Sequence, residues 1–149
     1  MKQMGPDPAG LERFFEHLQA VNRYVRAGWF GEPRRQPTRV QWMILRKLQR
    51  TGGCSVGELA QRVDVGPSAM SQMLDRLERV GWLSREPDPR DARGRTVRLT
   101  RQGEDVVRAV EQEWIRRLAR PFARLEPDEQ KQLLALMDKL AQFVREEGR

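Results

Sequence analysis

The chain is poor in the residues that most enzyme chemistry uses. Its 149 residues include one cysteine, Cys54, one histidine, His17, and one tyrosine. A lone cysteine excludes an internal disulfide framework and suits a reducing cytoplasm, where the protein is expected to reside. With a single histidine beside it, one chain lacks the nitrogen and sulfur ligands of a usual zinc site. No Gly-rich phosphate loop, nucleophile elbow, HExxH or paired-cysteine motif occurs. The expectation is therefore a protein that is not an enzyme, with no cofactor and no metal. No apolar run approaches the roughly 20 residues that span a bilayer, so no membrane partner is expected. The first ten residues carry Lys2, Pro6, Asp7 and Pro8 and lack the apolar stretch of a secretory signal.

Arginine, by contrast, is abundant. The net charge is +7, and 24 of the 28 basic residues are arginine. A GC-rich genome accounts for arginine over lysine but not for where the charge lies. Residues 38–100 hold 12 basic against 7 acidic residues, whereas residues 101–149 hold 10 of each and residues 1–37 hold 6 against 4. The excess sits in the middle of the chain and points to an anionic partner.

Residues 1–10, with Gly5, Pro6, Pro8 and Gly10, read as a loose arm. From Leu11, the spacing of Phe14, Phe15, Leu18, Val21 and Val25 predicts a helix ending near Ala27-Gly28. Gly28 to Pro37 reads as a loop. Thr38 with Gln41 is a capping box, opening a helix whose apolar face is Val40, Trp42, Met43, Ile44, Leu45 and Leu48, and Gly52-Gly53 stop it. Ser55 with Glu58 is a second capping box, and the helix it opens, Val56 to Val63, is followed by the turn Asp64-Val65-Gly66. Pro67 then opens a helix running to about Val80, with Met70, Met73, Leu74, Leu77 and Val80 buried and Ser68, Ser71, Gln72, Asp75, Arg76 and Arg79 on the other side. Trp82–Glu86 and Arg95–Leu99 read as strands joined by a loop from Pro87 to Gly94. Thr100 caps a long helix carrying Val106, Val107, Val110, Trp114, Ile115 and Leu118, and Pro121 is expected to kink or end it near Arg120. Pro127 starts a last helix with Asp128 and Glu129 in its first turn and a stripe of Leu133, Leu134, Leu136, Met137, Leu140, Phe143 and Val144. No internal repeat appears.

A helix-turn-helix followed by a basic hairpin is a winged helix, an architecture that puts one helix in a major groove and the hairpin beside it. The expected fold is mainly α with a small β-hairpin wing, one domain in which residues 38–100 form the DNA-binding core. In that reading Ser68, Ser71 and Gln72, at the start of the recognition helix, reach base edges or phosphates, glutamine pairing with adenine. Arg76 and Arg79, further along, suit phosphate. At the wing, Arg93 is expected in the minor groove, with Asp91 holding it through a charge-assisted bond. Arg90, Arg95 and Arg98 are expected to add backbone affinity.

The run Asp88-Pro89-Arg90-Asp91-Ala92-Arg93-Gly94, followed by Val97-Arg98-Leu99-Thr100 and Gly103, resembles the wing of the MarR family of bacterial transcriptional regulators. So do Met73-Leu74-Asp75-Arg76-Leu77 with Gly81-Trp82-Leu83, and the order of elements from about Leu11 to Val144. The resemblance implies a homodimer built through helices at residues 11–28 and 101–147. It also implies a near-palindromic double-stranded operator, and regulation, commonly repression, relieved by a small ligand or by oxidation. The apolar stripes agree, because a winged helix of about 60 residues cannot bury them all. An aromatic or phenolic effector would find walls in Trp29, Phe30, Trp42 and Trp114 and a cation in Arg39, although packing explains the same tryptophans equally well. Two alternatives stand beside DNA binding: a winged helix used for protein contact, against which the six arginines from Arg85 to Arg101 argue, and redox sensing through Cys54.

Overall fold

A computed structural model describes residues 5, 7–27 and 36–148. Among the described residues, six helices and three strands follow in order: α1 (Pro8–Arg26), α2 (Arg39–Thr51), β1 (Cys54–Ser55), α3 (Val56–Arg62), α4 (Pro67–Arg79), β2 (Leu83–Asp88), β3 (Asp91–Leu99), α5 (Arg101–Phe122) and α6 (Pro127–Glu147). The chain forms two compact units, Met1–Gln112 and Glu113–Arg149.

In the first unit, local chemistry sets the helix starts. The Thr38 hydroxyl accepts from Gln41 N–H while the Gln41 amide oxygen accepts from Thr38 N–H, and Ser55 and Glu58 repeat the exchange at α3. Each such cap satisfies two otherwise orphaned donors and contributes about 1 kcal/mol. Gly52 ends α2 in the left-handed region at φ 70°, and Gly53 follows at φ 127°. A side chain on Gly53 would meet Arg98 Cγ at 2.9 Å and the Val97 carbonyl oxygen at 3.1 Å, so glycine lets the chain lie close against β3.

That close approach creates a strand too short to be read from the sequence. Cys54 and Ser55 pair antiparallel with Val97 and Thr96, giving a sheet of order β1-β3-β2. Around it the core gathers Trp42, Ile44, Leu45 and Leu48 of α2, Leu59 of α3, Met70, Leu74 and Leu77 of α4, Leu83, Val97, and Val107 and Val110 of α5, all buried. Full burial of each large aliphatic side chain contributes roughly 1.5–3 kcal/mol. Arg46 of α2 is ion-paired with Glu111 of α5.

Several expectations are corrected. Helix α1 begins at Pro8, not Leu11, because the Asp7 carboxylate accepts from Ala9 and Gly10 N–H and the proline needs no bond at the first helical position. Met43 and Val80, expected inside, are 46% and 51% exposed, and Met73 is half-buried. Helix α5 passes through Pro121 to Phe122. The missing N–H falls in the last turn, where it costs one bond, and tighter turns at Arg124 and Leu125 then close the helix.

The apolar stripes of the flanking helices are uncovered. In α1, Leu11, Phe14, Phe15, Leu18, Val21 and Tyr24 are all exposed. So are Leu133, Leu134, Leu136, Met137, Leu140, Phe143 and Val144 of α6. No residue of either helix is buried. Among the described residues, no helix is long and apolar enough to cross a membrane.

Candidate nucleic-acid interface

Helix α4 is amphipathic for a simple reason. Met70, Leu74 and Leu77 fall on one side at helical spacing and are buried, which turns Ser68, Ser71, Gln72, Asp75, Arg76 and Arg79 outward, all exposed. Gly66 caps the helix without a side-chain bond, so the N–H groups of its exposed first turn carry a partial positive charge without a side-chain acceptor from the cap.

The wing is longer than expected. Its ladder runs from Leu83↔Leu99 to Asp88↔Asp91, so most of the segment expected as a loop is strand and the turn is only Pro89-Arg90. Register slips between Pro87 and Asp88, because Pro87 pairs with Arg95 and Asp88 with Asp91, and Ala92, Arg93 and Gly94 are left without partners. Arg93 therefore sits in this bulge on β3, just behind the tip, and Arg90 occupies the tip. Both are exposed.

The two wing aspartates act on the main chain. Asp88 Oδ1 accepts from Arg90 N–H at 2.8 Å and Asp91 Oδ1 from Arg93 N–H at 3.0 Å. The charge-assisted grip of Asp91 on the Arg93 guanidinium that the sequence suggests is corrected: its bond is to the Arg93 backbone. It shapes the bulge from which the guanidinium projects, a common use of aspartate in turns.

Strand alternation divides the wing's arginines between two faces. Arg85, Val97 and Arg95 share the face toward α4, where a cleft of about 280 Å³ is lined by Val56, Ser71, Leu74, Glu78, Arg85 and Arg95. The fold thus brings Ser71 and Arg95 together at one opening. Arg98 lies on the other face, with Nη1 3.4 Å from the Gly52 carbonyl oxygen, and does not join the α4 side of the wing.

Sequence reasoning missed Arg85. Its Nη2 lies 2.6 Å from Asp75 Oδ1 and 2.6 Å from Glu78 Oε2, its Nε donates to the same Glu78 oxygen at 3.0 Å, and its main-chain N–H donates to Glu78 Oε1 at 3.3 Å. The bonds from Arg85 hold the Glu78 carboxyl below its ordinary value, and the two acids raise the guanidinium in turn. The only hint in the sequence is the i, i+3 spacing of Asp75 and Glu78 on α4, which is equally usual on any solvated helix face.

Cys54 gives no support to the redox reading. It is 8% exposed, paired in a strand, and burial, followed by the charge of Glu58, pushes its thiol up from 9.0. An activated thiolate needs the opposite setting. Of the expected effector walls, Trp29 and Phe30 lie outside the described residues, Trp42 is a core residue at 4% exposure, Arg39 is exposed in the first turn of α2, and Trp114 belongs to the second unit.

The geometry agrees with what the chain is similar to. Residues 38–94 match the model of the MarR family. The chain is 32% identical over 126 residues to the transcriptional repressor MdtR of Bacillus subtilis, covering 84% of this chain and 81% of MdtR. It is 32% identical over 99 residues to the HTH-type regulator YkoM of Bacillus subtilis, and 33% identical over 106 residues to the transcriptional activatory protein BadR of Rhodopseudomonas palustris. These two matches cover 66% and 69% of this chain but 64% and 61% of the relatives, less than two thirds of either. Among solved structures, the transcriptional regulator Tm0710 from Thermotoga maritima superposes with a TM-score of 0.77 at 25% identity, covering 93% of this chain and 96% of that one. A mutant MarR from E. coli complexed with operator DNA superposes with a TM-score of 0.54 at 26% identity, covering 88% and 93%.

Proposed function

The chain belongs to the MarR family of transcriptional regulators, not to an enzyme family, and from that premise we propose that it is a repressor in the cytoplasm that binds a near-palindromic operator as a homodimer. The observation that carries the DNA reading is the shared opening of Ser71 and Arg95 between α4 and the wing, with Ser68, Gln72 and Arg76 exposed on α4 and Arg90, Asp91 and Arg93 at the wing's outer end. Helix α4 enters a major groove. Gln72 reads base edges there, Ser68 and Ser71 contact bases or phosphate, and Arg76 holds the backbone. Arg93, placed by its Asp91-shaped bulge, reaches the neighbouring minor groove, and Arg90 and Arg95 neutralise phosphates.

Residues 38–100 supply the reading head, and the helices at 11–28 and 101–147 supply the dimer contact, all within one functional domain. The dimer reading is supported by the uncovered apolar stripes of α1 and α6, since runs of exposed apolar side chains on one helix face mark association surfaces. Repression is favoured over activation by the similarity to MdtR, a transcriptional repressor aligned over 84% of this chain and 81% of its own length. Release by a small aromatic or phenolic effector completes the proposed cycle, on the family resemblance.

The test is fluorescence anisotropy of the protein on duplex DNA from just upstream of its own gene, against a scrambled duplex of equal length. A clear preference for the upstream duplex that weakens steeply with salt is the expected result, and Arg93→Ala should cost about 1–3 kcal/mol of that binding. Absence of binding to any duplex at low salt would overturn the reading.

A further inference from the structure

Arg85 differs from the other wing arginines in turning inward, with a side chain only 23% exposed. It ties β2 to α4 through four bonds to two acids, and both oxygens of Glu78 are used. Beside this bridge the helix and the wing part around the cleft that holds Ser71 and Arg95. A two-stranded hairpin is marginal by itself and takes its direction from what it is anchored to. The root of this wing is anchored by β1, but β1 lies on the side of β3 away from β2. The β2 side is anchored by the Arg85 guanidinium, whose planar fork suits two carboxylates at once.

We propose that Arg85 is a positioning residue for DNA recognition: by bridging Asp75 and Glu78 it holds the wing at one angle to α4, so that Gln72 and Arg93 meet their grooves in a single register. The inference rests on the operator-binding reading above and adds to it a residue that touches no DNA. It has a second consequence. Asp75 shares the outward face of α4 with Gln72 and Arg76, where a bare carboxylate would repel phosphate, and the guanidinium neutralises it in place.

The test compares the wild type, Arg85→Gln and Asp75→Asn/Glu78→Gln on upstream and scrambled duplexes over a range of salt. Arg85→Gln should lose about tenfold in affinity for the upstream duplex, in the middle of the range for residues in one ion-pair network, and clearly less on the scrambled duplex. The double variant gives the sharper result, because removing two acids from a DNA-facing helix strengthens non-specific attraction. Positioning nevertheless requires its preference for the upstream duplex to fall as in Arg85→Gln. Combining all three substitutions should add no further loss. A salt slope lower by about 0.9 in Arg85→Gln, with equal losses on both duplexes, would make Arg85 a phosphate contact and overturn the proposal. So would a double variant that keeps its preference. If the wild type itself prefers neither duplex, the operator reading fails and this inference with it. Preference in the wild type that survives in both variants defeats the inference alone. Should Arg85→Gln fail to fold, the double variant, which leaves the arginine in place, decides the matter.

Discussion

Gly103 lies buried in the first turn of α5, and replacing it with alanine sets two well-known effects against each other. In an open helix the change stabilises by about 1 kcal/mol. Here, a Cβ on residue 103 would stand 1.9 Å from the Trp82 carbonyl oxygen, 2.8 Å from its carbon and 3.2 Å from Leu99 Cδ2. Carbon–oxygen contacts otherwise sit at about 3.3–3.6 Å, so helix and strand must part by more than an ångström. The obstacle is main chain and cannot swing aside, which places the overpacking cost toward the top of the usual range of about 1–3 kcal/mol. The parting also loosens the bond from Thr100 N–H to the Trp82 carbonyl at 3.1 Å and that from the Thr100 hydroxyl to the Gly81 carbonyl, each contributing about 0.5–1.5 kcal/mol. The balance is a net loss of about 2–4 kcal/mol. Urea unfolding followed by tryptophan fluorescence measures it, at matched protein concentrations because any association enters the apparent stability. Gly57→Ala is the internal control. The nearest atom to its new Cβ is Ser55 Oγ at 3.9 Å, so this helical glycine should gain up to about 1 kcal/mol. If Gly103→Ala proves as stable as Gly57→Ala, the close seat of α5 against Trp82 is wrong.

Further outcomes follow from the same residues. Gln72→Ala should relax sequence preference by about 1–3 kcal/mol at one base pair while leaving binding to scrambled DNA nearly unchanged, and an equal fall on both would make Gln72 a phosphate contact. Phe143→Asp, on the exposed stripe of α6, should convert the proposed dimer to monomer in sedimentation velocity, weakening association by about 2 kcal/mol or more per copy. A sedimentation coefficient that does not move would take α6 out of the interface. Diamide or peroxide should leave DNA affinity unchanged, since Cys54 is buried with a raised thiol pKa, and oxidant-induced release seen in the wild type but not in Cys54→Ala would contradict that. Glu78 has a folded pKa lowered by its bonds to Arg85. Its contribution to stability is complete above its ordinary value of 4.5 and is lost as pH falls through the lowered folded value. The stability gap between the wild type and Glu78→Gln should therefore close on acidification below about pH 4.5, and a gap independent of pH would show that the ion pair contributes nothing.

Much of this architecture is local and therefore legible. The capping boxes at Thr38 and Ser55, the glycine stop after α2 and the buried triplet Met70, Leu74 and Leu77 are each decided within one or two turns of chain. What escaped depends on distant partners or on position within an element. In the sequence Pro8 reads as part of a loose arm, yet beside the Asp7 cap it is a first helical residue. Prolines and aspartates between 87 and 94 spell a loop in the sequence, whereas strand pairing carries through them to a two-residue turn. The two residues of β1 show no alternation to detect, and their partners lie about 40 residues downstream. At the candidate interface, Ser68, Ser71, Gln72, Arg76, Arg90, Arg93 and Arg95 are legible as exposed polar and basic positions because the buried pattern of α4 and the hairpin leaves them outward. The inward turn of Arg85 is set by acids on another element, and no periodicity in the strand announces it.

Ser55 holds two roles at once. It pairs with Thr96 in the sheet and its hydroxyl caps α3 by accepting from Glu58 N–H at 3.2 Å. One residue added at the root of β3 would slide the ladder and unseat the cap of a helix in the helix-turn-helix, so the wing cannot lengthen there. Its tip has no such tie to α3: Pro89, Arg90, Ala92 and Arg93 are exposed, and the bonds of Asp88 and Asp91 to Arg90 and Arg93 N–H stay within the wing. Insertions, loop grafts and natural changes of reach should therefore accumulate at the turn, residues 89–90, outside the bulge that Asp91 shapes. A variant library confined to that turn would vary the reach of the wing without disturbing α4.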